Sequence, residues 1–259
     1  KLEQRRTEFK RTLGKIKELG NENGNGKTVL FGMDYVRTLA QTTAMPEAMK
    51  TSFDLSCVRR KNSDGYHYFI SALTNRDTEG WIPLAVPARS AVLYNPMNGT
   101  SGKACLRQNN GKTEVYLQLV SGESVILRTF TEVDVQAPEW RYPAVSEGAV
   151  ELSGLWNLRF LESIPEVHNL PDSVSLGSWT DVSFENAKTT MGTGCYTTTF
   201  RIENPASAQD WLLSLGDVRE SARIRINGRE ITTLWAVPYC CSVGQYLCPG
   251  KNTLEIEVT

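Results

Sequence analysis

Histidine is almost missing from this chain: among 259 residues there are two, His67 and His168, in unrelated segments. No cysteine pair stands at two-residue spacing, so the common His- and Cys-based metal sites have no ligand set here. A nucleophilic triad fares no better, because neither histidine accompanies a nucleophile-elbow sequence. Excess charge of either sign is also missing. Lys plus Arg number 28 against 29 Asp plus Glu, a net charge of −1, and no strong positive field draws the chain to nucleic acid or to an anionic membrane. No apolar run approaches the ~20 residues that a spanning helix needs. Lys1 to Arg6 lead into no hydrophobic stretch, so no signal-peptide pattern is visible, as in a mature or trimmed product. Cysteines 57, 105, 195, 240, 241 and 248 are too few and too uneven for a disulfide scaffold. One bridge among Cys195, Cys240, Cys241 and Cys248 stays open, and the rest read as small buried hydrophobes.

What remains is globular composition, 40% hydrophobic and 22% charged, enough to bury a sizeable core. Phe9, Leu13, Ile16 and Leu19 recur at helical spacing over the first ~20 residues and predict an amphipathic helix. Gly20 and the run Asn21 to Gly26 end it. Lys27 to Gly32 reads as a short buried strand, and Asp34 to Gln41 as a helix with Asp34 at its N-cap. Helix, strand, helix is too little to close an α/β layer. The expectation is a chain that starts partway through a larger protein, with residues 1–55 the remnant of an α/β domain. Gly24-Asn25-Gly26-Lys27-Thr28 is no phosphate loop: Asn21 occupies the position of the first glycine, and a strand follows instead of a helix.

From Cys57 the pattern is short strands separated by turns. Tyr66 to Thr74, Trp81 to Val86, Ser90 to Tyr94, Lys103 to Arg107, Thr113 to Val120 and Ser124 to Phe130 read as strands. Asp64-Gly65, Asn95 to Gly99, Asn110-Gly111 and Ser121-Gly122 supply the turns. Residues 56–136 are therefore expected to form a small antiparallel β-sandwich. Gln136 to Pro143 reads as a linker or an edge strand.

Residues 137–259 read as a second sandwich or jelly roll. Trp156, Leu158 and Phe160 alternate with polar residues, and Trp211 to Leu215 is a nearly continuous apolar strand. Ala222, Ile224 and Ile226 point one way, Arg223 and Arg225 the other. Asn227-Gly228 is a strong hairpin signal, because both central positions need positive φ. Ile231 and Trp235 fall on one face of the returning strand. Pro249 to Asn252 turns again before Leu254, Ile256 and Val258. The fold class is thus mostly β, two sandwiches behind a short incomplete α/β segment.

No spacing among Asp172, Asp181, Glu185, Asp210, Asp217 and Glu220 selects the pair of carboxyls that glycoside hydrolysis uses, ~5–10 Å apart. Calcium held by loop carboxylates and carbonyls stays open, since such sites leave little sequence signature. Sugars bind by stacking their C–H faces on rings and by hydrogen bonds to planar polar groups. Trp179, in the loop-like stretch Leu176 to Asp181, is the best candidate for exposure, and Trp235 and Tyr239 flank Pro238. Trp156 and Trp211 read as core.

In order along the chain stand Ser153-Gly154-Leu155-Trp156, Trp179-Thr180-Asp181, Gly194-Cys195-Tyr196 and Leu215-Gly216-Asp217-Val218. Then follow Ser221 to Gly228, Leu234-Trp235 and Pro249 to Ile256. This set resembles the sugar-binding, galactose-binding-like jelly roll of glycoside hydrolase family 2 and its relatives. Upstream, Lys27 to Gly32, Val58-Arg59-Arg60, Asp64-Gly65, Tyr68-Phe69-Ile70 and Asn95-Pro96 with Gly99 resemble the C-terminal portion of glycoside hydrolase family 106, the α-L-rhamnosidases. The resemblance implies a bacterial, periplasmic or extracellular polysaccharide-degrading enzyme whose catalytic barrel, with its glutamates and calcium site, precedes the residues seen here. This chain would then carry no catalytic residue, metal ligand or cofactor of its own. Its partners would be carbohydrate and the upstream catalytic domain. Trp179, Trp235 and Tyr239 are the expected sugar contacts, with Arg219 and Glu220 as hydrogen-bonding partners. Two alternatives stand beside it: a stand-alone carbohydrate-binding or adhesion protein without hydrolase activity, and a purely structural module with every Trp buried.

Overall fold

The computed structural model describes residues 1–21, 45–144 and 149–259. The strand expected at Lys27 to Gly32 and the helix at Asp34 to Gln41 lie outside them. The chain divides into two units, Lys1–Glu47 and Ala48–Thr259. In the first, helix α1 (Leu2–Asn21) covers the amphipathic stretch, with Leu2, Phe9 and Ile16 exposed. The second unit is mostly β, arranged as antiparallel sheets around two separate apolar clusters.

The first cluster lies between two sheets. After the short helix α2 (Met49–Phe53), strands β1 (Ser56–Lys61), β2 (Gly65–Ser71), β4 (Ser90–Tyr94), β5 (Ser101–Lys103) and β8 (Ser124–Phe130) pair in the order β1-β2-β8-β4-β5. Opposite them, β3 (Thr78–Pro83), β6 (Leu106–Asn109) and β7 (Lys112–Leu119) pair in the order β3-β7-β6. Period-2 alternation sends Tyr68, Ile70, Leu93 and Leu127 inward from one sheet and Ile82, Val115 and Leu117 inward from the other. Met49 and Leu55 are fully buried in the same cluster, and Trp140 and Tyr142 pack half-buried against it.

The strand expected over Lys103 to Arg107 is in fact two. β5 belongs to one sheet and β6 to the other, and Ala104 and Cys105 turn the corner between them. Their backbone groups stay paired, the Ala104 N–H to Ala91 and the Cys105 carbonyl to Tyr116, so the break strands no buried polar group. The stretch after Gln136 lies along β5. The Lys103 N–H donates to the Pro138 carbonyl and the Trp140 N–H to the Lys103 carbonyl. Gly102 is tight for this reason, since a Cβ there would stand 2.6 Å from the Trp140 backbone.

The second cluster is built on β9 (Asn157–Ile164), β10 (Met191–Ile202), β12 (Ala222–Ile226), β13 (Arg229–Leu234) and β15 (Gly250–Val258), paired β13-β12-β15-β10-β9. Only Leu212–Ser214 (β11) of the apolar run Trp211 to Leu215 is strand, and it pairs with β14 (Cys240–Ser242). Ala222, Ile224 and Ile226 are buried, as are Leu254 and Ile256. Asn227 (φ 53) and Gly228 (φ 75) make the tight turn between β12 and β13. At the next turn Asn252 is fully buried with its amide group saturated. It donates to the Cys248 and Gly250 carbonyls and accepts from the Cys248 N–H and the Asn227 amide. No disulfide joins any of the six cysteines.

Candidate functional site

The sequence-predicted residues separate once folded. Trp179 opens a 3₁₀ turn capped by Ser178, and its ring leans into the second core instead of toward solvent. It meets Phe160 edge-on at 4.8 Å, and its Nε1–H donates to the Tyr196 hydroxyl at 2.8 Å. A side chain at Gly194 would collide with this indole, the added Cβ standing 2.9 Å from it. Burial pushes the Tyr196 hydroxyl up, a shift that the Trp179 donor opposes. This indole is a packing group, and the exposure expected of it from the loop-like sequence is not found.

Tyr239 is also buried, 6% exposed, and its hydroxyl donates to the Glu220 carbonyl at 2.7 Å. Ring and hydroxyl are both committed inside the protein. Arg219 and Glu220 are exposed, but the Arg219 guanidinium forms a two-pronged pair with Asp217 at 2.7 and 3.0 Å. That pairing holds the Asp217 carboxyl below its usual range and raises Arg219. Trp235, just past the end of β13, is 65% exposed. Of the three aromatic candidates it alone offers a ring to solvent, and a module with every Trp buried is not what the chain presents. Trp156, at 2%, lies in the core, and its indole N–H has no partner there.

A concave site with convergent chemistry lies elsewhere, on the outer face of the three-stranded sheet. Two successive outward rungs of the β3–β7 ladder build it, Glu79 opposite Gln118 and Trp81 opposite Tyr116. Tyr142 completes it from the segment that follows the first sandwich, around a depression of about 560 Å³. Tyr116 is edge-on to Trp81 at 5.2 Å and to Tyr142 at 5.1 Å. Its hydroxyl donates to Glu79 at 2.6 Å, and the Gln118 amide donates to Glu79 and to the Pro143 carbonyl. These bonds hold the exposed Glu79 carboxyl below its usual value. The Tyr142 hydroxyl donates to the Tyr116 carbonyl and accepts the Cys105 N–H, and burial pushes it up to about 12. Arg107 lies over the Trp81 ring at 4.5 Å while bonded to Glu114 at 2.6 Å. The Gln118 Oε1 is buried without a partner.

Sequence reasoning passed over this group because Trp81 and Tyr116 sit in strand patterns, where an aromatic is ordinarily core. One signal was present: alternation from Ile82, Val115 and Leu117 puts Glu79, Trp81, Tyr116 and Gln118 on the opposite face. Among the described residues no three His, Cys, Asp or Glu side chains group as a metal site. The described helices include none long and apolar enough to cross a membrane.

No family model matches the chain. A putative beta-glucuronidase of Formosa agariphila is 30% identical over 112 residues, 42% of this chain and 10% of that protein. Among solved structures, the rhamnosidase of Novosphingobium sp. PP1Y matches over 93% of this chain and 24% of its own, with a TM-score of 0.63 at 22% identity. A beta-glucuronidase from an uncultured Clostridium matches 46% of this chain with a TM-score of 0.38. The chain thus spans about a tenth of the length of the first and a quarter of the second. The shared fold is that of a β-sandwich region found within a rhamnosidase, and the chain is similar to glycoside hydrolases in sequence and in fold.

Proposed function

We propose that this chain is a non-catalytic, C-terminal region of a polysaccharide-degrading glycoside hydrolase of the family 106, rhamnosidase-like kind. In this reading residues 1–55 belong to an α/β domain, 56–136 to a small sandwich and 137–259 to a galactose-binding-like jelly roll. The region supports a catalytic barrel or binds carbohydrate, in the bacterial periplasm or outside the cell. The observation that carries the reading is that one solved rhamnosidase shares the fold over 93% of the chain, far more than a jelly roll alone would supply.

The test is hydrolysis of p-nitrophenyl α-L-rhamnoside by this chain and by its parent protein. The parent releases nitrophenol and the isolated chain does not. Release by the chain alone overturns the non-catalytic role, and an inactive parent overturns the rhamnosidase assignment.

A further inference from the structure

We propose that the depression formed by Glu79, Trp81, Tyr116, Gln118 and Tyr142 is a binding subsite for a neutral pyranose. The proposal rests on the reading above only in that a glycoside hydrolase meets sugars.

The hydrogen-bond inventory selects the ligand class. Tyr116 and Tyr142 spend their hydroxyl protons on Glu79 and on the Tyr116 carbonyl. The Gln118 amide protons go to Glu79 and Pro143, and Arg107 is bonded to Glu114. What stays open is chiefly acceptor capacity, the lone pairs of the exposed Glu79 carboxylate, beside one donor, the Trp81 indole N–H; the partnerless Gln118 Oε1 is buried. A ligand that satisfies this site must bring donors and an apolar face together. A pyranose does both, its hydroxyls donating to the carboxylate while its C–H face lies on the aromatic surface that Arg107 leaves open.

Other occupants fit less well. A proline-rich peptide presents carbonyl acceptors, for which the tyrosine hydroxyl protons are already used and the Trp81 indole N–H is left, and its proline units bring no donor to Glu79. A quaternary ammonium suits an aromatic cage. Its quaternary nitrogen brings no hydrogen-bond donor to Glu79, however, and the Arg107 guanidinium already occupies the cation position over Trp81. A uronate brings a carboxylate toward the ionised Glu79, while the neighbouring positive charge of Arg107 is paired with Glu114. The platform is also rigid, because four of the five residues stand on paired strands.

The test is NMR titration of the intact chain, read at the Trp81 indole N–H resonance, which Trp81→Phe assigns by its disappearance. The probes are methyl α-L-rhamnoside, methyl β-D-galactoside, sodium D-glucuronate and choline chloride. A neutral glycoside is expected to move the Trp81 signal, and Glu79→Ala to weaken that response about tenfold or more. Glu79 is exposed, so this variant leaves the fold intact, with circular dichroism as the check. Trp235→Ala leaves the response unchanged. Larger shifts with glucuronate or choline overturn the neutral-sugar assignment. Shifts untouched by Glu79→Ala, or lost only with Trp235→Ala, place the sugar elsewhere and overturn the subsite. No shift with any sugar also overturns it, while the hydrolysis assay decides the accessory role by itself.

Discussion

Tyr239 and Trp235 stand four positions apart on either side of Pro238, with the same apparent claim to a sugar. Folding treats them oppositely: Tyr239 is sealed into the second core and Trp235 is left in solvent. Their variants should differ accordingly. Trp235→Ala is expected to change stability by no more than about 0.5 kcal/mol. Tyr239→Phe should cost about 1 kcal/mol through the lost bond to the Glu220 carbonyl, and Tyr239→Ala about 3–5 kcal/mol through the cavity. Urea denaturation of the three variants checks the ranking. Glu79 gives a second measurement at this scale. The Tyr116 hydroxyl, then the Gln118 amide, hold its carboxyl below the ordinary 4.5, so its charged form persists under acid that protonates exposed glutamates. Binding of a neutral glycoside at Trp81 should hold as pH falls through about 4.5 and be lost only below it. Loss already at pH values above 4.5 would contradict this electrostatic account.

At the scale of elements, the β12–β13 hairpin and the turn into β15 are tied to each other through two asparagines. The Asn227 side-chain Oδ1 accepts from the Thr253 N–H, and its Nδ2 donates to Asn252, which satisfies all its own hydrogen-bonding positions within the turn. Asn252→Ala removes the centre of this network and takes the side-chain partner from part-buried backbone groups at Cys248 and Gly250. The expected loss is about 2–3 kcal/mol by chemical denaturation. Ile224→Ala, fully buried on a strand paired on both sides, should lose about 2–5 kcal/mol. Strand positions were legible where turn residues bound a continuous apolar run, as at Ser90–Tyr94, or an alternating one, as at Ser124–Phe130, and both match the expectation at their ends. The break at Ala104 and Cys105 was not, because alternation continues through a chain that changes sheets, and only the partners on each side reveal the corner.

For the whole second unit, the turn Ser121–Glu123 of the first sandwich comes close to the loop before β14. A Cβ on Gly122 would stand 2.4 Å from the Val237 side chain. Glu123 sits at this seam. Burial pushes its carboxyl up, against the Val120 N–H that it accepts and with the charge of Asp77 adding to the rise. The folded chain therefore binds this proton more tightly than the unfolded one does. The resulting stability is complete below the ordinary value of 4.5 and is lost as pH rises through the raised value. Glu123→Gln keeps an oxygen for the Val120 N–H and removes the charge. Its Tm should exceed that of the parent chain at about pH 8, and the difference should close toward about pH 4. A difference that is constant with pH would mean that the effect is not protonation.

The sequence by itself determined most of the strand segments, many of the inward-facing residues and where the Asn227-Gly228 turn falls. Those follow from local periodicity and from backbone conformations that few residues adopt. Its charge balance and scarce histidine also argue against a strongly basic chain and a common Cys- or His-based metal site, and no apolar run reaches bilayer length. Only the tertiary structure decided which aromatics are free. Trp179 reads as a loop residue but is half-buried above Gly194, while Trp81 and Tyr116, which fall in stretches read only as strands, stand on the outer face of their sheet beside Tyr142. A ring's exposure depends on what the rest of the chain lays over it, and that partner lies tens of residues away in each case. For the same reason the best concave site joins positions 79, 81, 116, 118 and 142, which no local spacing connects.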